Sequence, residues 1–125
     1  MNNNYEINDF TLDSFVHGTI EKFYYDRNNK VFKVIFSYLN LKRGGCLYEC
    51  TITITDWWDF EVIQYRGNDI INKFKSNNIP ELDGIVDFTY DGTTLTLEDL
   101  CGLNEIYHFI FIKPKIQITG EYEPD

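Results

Sequence analysis

A chain of 125 residues has the length of one domain, enough to bury most of its apolar surface around a single core. Its composition is 17% aromatic, with three prolines and no alanine, which argues against disorder and leans towards sheet, because alanine is the natural helix builder. The formal charge of −9, from 20 acidic and 11 basic residues, disfavours nucleic acid and anionic membrane and favours a basic protein partner.

Residues 1–9 are polar and Asn-rich, a peripheral start with neither the basic residues nor the apolar run of a secretory signal. No stretch is long enough to cross a bilayer. Apolar residues at Phe10, Leu12, Phe15 and Val16 suggest one turn of helix. The β-rich runs Thr19–Tyr25 and Val31–Leu39 flank the polar cluster Asp26–Asn29 and read as a hairpin. After the turn Asn40–Gly45, the segment from Cys46 to Thr55 alternates. Cys46, Tyr48, Cys50, Ile52 and Ile54 take one face, and Glu49, Thr51, Thr53 and Thr55 the other. Short loops between these three strands require an antiparallel meander.

Alternation then breaks at Asp56-Trp57-Trp58-Asp59-Phe60-Glu61. Val62, Ile63 and Tyr65 suit the end of an edge strand. In Gly67–Asn78, Asn68 or Asp69 could cap a short helix with Ile70, Ile71 and Phe74 on one face, the alternative being irregular loop. Asn77, Asn78 and Pro80 end it either way. Ile85–Tyr90 and Thr93–Leu97 form a second hairpin about Asp91-Gly92, read as the two central turn residues. A strand over Ile106–Ile112, a break at Pro114, a strand over Lys115–Thr119 and an acidic tail from Gly120 complete the chain. The fold class expected is mainly β: one domain over residues 1–125, an antiparallel sandwich or strongly bent sheet of seven to eight strands, with one or two short helical turns.

Chemistry-bearing residues are sparse. Asp13, Ser14 and His17 contain the ingredients of a triad, but residues this close in one segment rarely converge as nucleophile, base and orienting acid. Asp13 or Ser14 as a helix cap, and His17 bonded to backbone, is the expected arrangement. Cys46, Cys50, Cys101 and His108 lack the paired spacing of a metal site. Gly44-Gly45 precedes a strand and not a helix that could hold phosphate. Tyr24, Tyr25 and Phe32 with Lys22, Lys30 and Lys33 could imitate an aromatic-basic nucleic-acid platform, but in an acidic chain. No catalytic residue, metal or cofactor is therefore expected. Cys46 and Cys50, about 13 Å apart on one strand, could not bridge. Unpaired buried thiols suit a reducing, cytoplasmic location.

One cluster stands out. Asp56, Trp57, Trp58, Asp59 and Glu61 set adjacent indoles among carboxylates, and no strand can bury so many rings on one side. Interfaces concentrate energy in such aromatic anchors, and the carboxylates would steer a basic partner. The competing arrangement has one tryptophan in the core and the other over a loop.

The segment Leu12-Asp13-Ser14-Phe15-Val16-His17-Gly18, the strand Val31–Leu39, the Thr/Ile-rich strand leading to Trp57-Trp58, the hairpin Ile85–Gly92 and the strand from Glu105 to Phe109 together resemble small immunity proteins of bacterial polymorphic toxin systems. The likeness covers most of the chain. It implies a cytosolic protein that binds and neutralises a cognate toxin, a basic nuclease being the toxin class expected. Two other readings remain open: a non-catalytic assembly module that homodimerises through an edge strand, and a small ligand-binding or hydrolytic domain using Asp13 and His17.

Overall fold

The computed structural model describes residues 5–75 and 78–125. The Asn-rich start at residues 1–4, and Asn77 at the expected end of a helix, lie outside the described residues. A 3-10 turn at Ile7–Asp9 and a six-residue helix α1 (Leu12–His17) lead into β1 (Ile20–Asp26), β2 (Val31–Asn40) and β3 (Cys46–Thr55). Next come β4 (Asp59–Arg66), β5 (Asp69–Phe74) and β6 (Asp87–Tyr90). The hairpin β7 (Thr94–Gly102) and β8 (Glu105–Ile112) is followed by β9 (Lys115–Glu123). A four-stranded sheet has the order β1-β2-β3-β9 and a five-stranded sheet the order β5-β4-β8-β7-β6. The expected class, mainly β with antiparallel pairing in two layers, is what the chain adopts, with the β1-β2-β3 meander as read.

Aromatic rings join the layers. Phe32 of β2, fully buried, has ring centroids 5.0 Å from Phe111 and 5.9 Å from Phe109 of β8. Phe15 of α1 fills one end of the sandwich between Phe36 and Phe88. The helix exists because Thr11 caps it, its side chain accepting from the Ser14 N–H at 3.1 Å. Neither Asp13 nor Ser14 is the cap. The Ser14 hydroxyl instead donates to the Asn40 carbonyl at 2.6 Å, tying α1 to β2.

Several boundaries differ from the sequence expectation, each for a local reason. Asp69–Phe74 is the edge strand β5 and not a helix, so β4 lies between β5 and β8 instead of ending a sheet. Pairing between β4 and β5 slips at Gln64/Tyr65, where Gln64 faces Asn72 and Tyr65 faces Ile70. In the second hairpin, Asp91 and Thr94 flank the turn, with the Asp91 N–H donating to the Thr94 carbonyl. The central residues are Gly92 and Thr93, and of Asp91 and Gly92 only Gly92 has a positive φ, +91°. Asp91 serves through its side chain, which accepts from the Thr93 and Thr94 N–H groups at 2.8 and 2.7 Å; those bonds hold its carboxyl below the usual range. β9 continues to Glu123, taking in most of the segment read as a tail.

The largest correction concerns β3. Leu47 and Cys50 are both fully buried while Tyr48 and Glu49 are exposed, so Cys46 and Tyr48 do not share a face with Cys50, Ile52 and Ile54. A bulge causes the inversion: Glu49 has φ +49°, and the β3–β9 register shifts between Tyr48 and Thr51. Two residues then oppose one, and the face changes.

Candidate functional site

Two crossovers carry the chain between sheets, side by side. One is Asp56–Trp58, from β3 to β4; the other is Lys113-Pro114, from β8 to β9. Asp56 and Lys113 turn their backbones with φ +52° and +50°. The Trp58 N–H donates to the Ile112 carbonyl at 2.8 Å, and the Lys115 ammonium lies 3.4 Å from the Asp56 carboxylate. These links hold the corner in one geometry.

The two tryptophans separate here. Trp57 is 5% exposed. Its ring packs against Tyr25, Phe60 and Phe111, and it is part of the core rather than of the surface. Trp58 is 72% exposed, with the Lys113 ammonium 3.8 Å from its ring centroid. The Asp59 carboxylate accepts from the Phe60 N–H at 2.9 Å, which fixes the entry to β4. The structure therefore brings Asp56, Trp58, Asp59 and Glu61 to the surface and withdraws Trp57. It also adds cations that the sequence cluster omits: Lys113, Lys115 and Lys30, whose ammonium donates to the Trp57 carbonyl at 3.1 Å. The corner is amphoteric, with a ring platform at its centre. Beside it, a cavity of about 330 Å³ is lined by Lys30, Trp58, Glu61 and Lys75 among others.

This corner is one end of a larger surface. Cross-strand partners share a face, and the register of the five-stranded sheet turns Phe60, Val62, Phe109 and Phe111 inward. The alternate positions face outward. Asp59 and Glu61 of β4 stand opposite Ile112 and Ile110 of β8, in line with Trp58. Further along, Ile63 lies opposite His108, and Tyr65 opposite Ile106. At that far end a groove of about 790 Å³ is lined by Tyr65, Glu98, Leu100, Ile106 and His108 together with the paired Arg66 and Glu105. The His108 ring is 4.6 Å from that of Tyr65, and its Nε2 is 3.5 Å from Glu98. Glu105 receives Arg66 at 2.8 Å and Gln64 at 2.8 Å, and the guanidinium holds its carboxyl below the usual range.

The outward apolar residues of β4, β7 and β8 escaped the sequence reading, although a signal was present. Glu105–Ile112 reads EIYHFIFI, apolar at both parities, and a strand apolar on both faces is one to be covered on both. The triad ingredients do not converge. The His17 Nε2 lies 3.2 Å from Asp13, both side chains largely exposed, while Ser14 turns away to Asn40. His17 is paired with Asp13 and not with backbone. Among the described residues no group of three or more His, Cys, Asp or Glu side chains is placed to hold a metal ion, and no helix is long and apolar enough to cross a membrane. Comparison of the chain with protein-family models, curated proteins and solved structures returned no match.

Proposed function

We propose that this domain is an immunity-type protein of the cytosol, which binds a cognate toxin protein and neutralises it by covering its working surface. The observation that carries this reading is Trp58, a large ring held outward at 72% exposure on a corner whose backbone is pinned to β8. Leaving such a ring in water is unfavourable unless a partner takes it up, and a pre-ordered aromatic anchor loses little entropy on binding. Asp56, Asp59 and Glu61 surround it, and the chain's charge of −9 would speed encounter with a basic toxin, a nuclease being one such class.

The test is affinity for the toxin encoded beside the gene, measured by calorimetry with Trp58→Ala and Asp59→Ala. Trp58→Ala is expected to weaken binding at least about tenfold, and Asp59→Ala less. A loss below that for Trp58→Ala would place the contact elsewhere.

A second reading, a non-catalytic homodimer, draws on β5. This edge strand exposes Ile70 and Ile71 and, among the described residues, has a strand neighbour only on the β4 side, leaving backbone groups free to pair with another copy. Sedimentation at low micromolar concentration separates the two readings: a dimer without a heterologous partner supports the second.

A further inference from the structure

The two sheets treat their outer faces differently. On the four-stranded sheet, the outward positions of β3 and β9 are Thr51, Thr53, Thr55, Gln117 and Thr119, and beside them Val31, Lys33 and Ile35 of β2 and Tyr24 of β1. That is the mainly polar exterior expected of a sheet facing water. On the five-stranded sheet the outward positions of the central strand β8 are Ile106, His108, Ile110 and Ile112. The three isoleucines are half-buried and the flanking Ile63 is buried, while Trp58 and Leu100, the latter 58% exposed, stand out at the two ends. An apolar stripe bounded by two exposed anchors suits a surface that another molecule covers.

Its charges indicate which molecule. The outward carboxylates are Asp59 and Glu61 on β4, Asp87 on β6 and Glu98 on β7, against Lys73 on β5 in the same rows; the cations at the two ends are Lys113, over Trp58, and Arg66, already paired with Glu105. Two copies meeting through this face would bring together carboxylate-rich surfaces of chains that each carry a charge of −9. Anionic headgroups would be repelled for the same reason. A partner with an apolar centre ringed by lysine and arginine meets neither obstacle.

We propose that the whole outer face of β4, β8 and β7, from Trp58 to the groove at Tyr65 and Leu100, docks a heterologous basic protein, with a lysine or arginine of that protein entering the groove between Tyr65 and Glu98. This rests on the immunity reading for the partner's identity and extends it in space. From Ile112 to Ile106 the face runs about 20 Å along β8, a length suited to a full-size interface rather than to a single anchor. The Tyr65 ring supplies a cation-binding π face, and Glu98 supplies the counter-charge. In the free protein the His108 Nε2 lies 3.5 Å from that carboxylate.

The test uses the full chain and the toxin encoded beside its gene, with hydrogen exchange and calorimetry as readouts. Leu100→Lys should weaken binding at least about tenfold, and Glu98→Gln about threefold with a flatter salt dependence. Thr53→Lys, on the opposite sheet, should stay within about twofold. Leu100→Ser provides a milder variant should the lysine impair folding, and amide protection of β7 and β8 in the unmodified complex provides a measurement free of mutation. Weakening by Trp58→Ala, with Leu100→Lys and Leu100→Ser unchanged and β7 unprotected, overturns the extended surface and leaves the immunity reading intact. Failure of the unmodified chain to bind the toxin overturns both. A dimer of the chain alone that Leu100→Lys dissociates makes a second copy the occupant, and the proposal falls.

Discussion

The ammonium of Lys113 lies 3.8 Å from the ring centroid of Trp58, so each crossover between the sheets contributes one partner of the contact. A lysine over an exposed indole contributes about 0.5–1 kcal/mol, small beside the burial of Trp57 one residue earlier. Adjacent tryptophans in this chain therefore do different work: one joins the layers, the other is presented to the outside.

That division predicts opposite mutational profiles. Trp57→Ala should lower unfolding stability by about 3–5 kcal/mol, because it opens a cavity between Tyr25, Phe60 and Phe111. Trp58→Ala should cost no more than about 1 kcal/mol. Urea unfolding followed by circular dichroism measures both. Acrylamide should quench the fluorescence of Trp57→Phe strongly and that of Trp58→Phe weakly; the reverse order would contradict the placement of the two rings.

Asp99 predicts a pH dependence of distinct sign. It is 4% exposed and accepts from the Asp83 N–H at 2.8 Å, holding the segment before β6 against the sheet. Burial raises its pKa above the ordinary value of 3.8, while the N–H groups of Asp83, Gly84 and Leu100 pull it back in part. A carboxyl with a raised folded pKa binds its proton more tightly in the native state, so its contribution to stability falls as pH rises from 3.8 through the folded value. Asp26, Asp91 and Glu105 have lowered values and slope the other way, losing their contribution as pH falls. The difference between the native chain and Asp99→Asn isolates the buried group. The side-chain amide introduced by that substitution would still accept from the Asp83 N–H, and the variant's stability relative to the native chain should increase between acid and neutral pH. A constant difference across that range would show that Asp99 does not titrate differently on folding.

The thiols give a third expectation. Cys50 is fully buried, and desolvation pushes its thiol up to about 12, so almost no thiolate exists at neutral pH. Cys46 and Cys101 are partly exposed, although burial and the nearby Glu105 raise Cys101 as well. Titration of the native protein with a disulfide reagent should consume Cys46 and Cys101 and leave Cys50 untouched until denaturant is added. Early modification of Cys50 would mean that β3 opens at this position.

The fold was most legible where one residue type could satisfy only one geometry. Strands β1 to β3 follow from β-branched and aromatic runs between polar turns, and the hairpin at Gly92 follows from a glycine free to take positive φ. Illegible features depended on partners distant in the chain. β5 looked helical because Ile70, Ile71 and Phe74 fall at helical spacing, whereas its pairing, which slips at Tyr65, is made with β4. Of the aromatic-acidic cluster, the sequence located the corner but not which indole would leave the core; that choice depends on Tyr25 and Phe111, contributed by other strands. The apolar outer face was legible in principle, in the double parity of Ile106–Ile112, but only once β8 was known to lie at the centre of its sheet.

The bulge in β3 yields the last prediction, since Gly120 of another strand lies against it. A Cβ placed on Gly120 of β9 would fall 3.0 Å from the Leu47 Cβ, 3.1 Å from the Tyr48 carbonyl oxygen and 3.3 Å from the Cys50 Cα. A side chain at residue 120 would thus crowd β3 at this point. Two of those three contacts are backbone atoms and cannot swing aside, so Gly120→Ala should lower stability by about 1–3 kcal/mol. Glu49, at the crest of the bulge, is exposed and holds φ +49°, a conformation that costs a non-glycine residue about 1–2 kcal/mol. Glu49→Gly relieves that strain while adding flexibility to the unfolded chain, a cost of about 0.4–1 kcal/mol, so its net effect should be a gain of up to about 1.5 kcal/mol. The two substitutions, equal and opposite in glycine content, should shift the urea midpoint in opposite directions. A loss of stability in both would mean that the left-handed backbone at Glu49 stores no strain that glycine relieves.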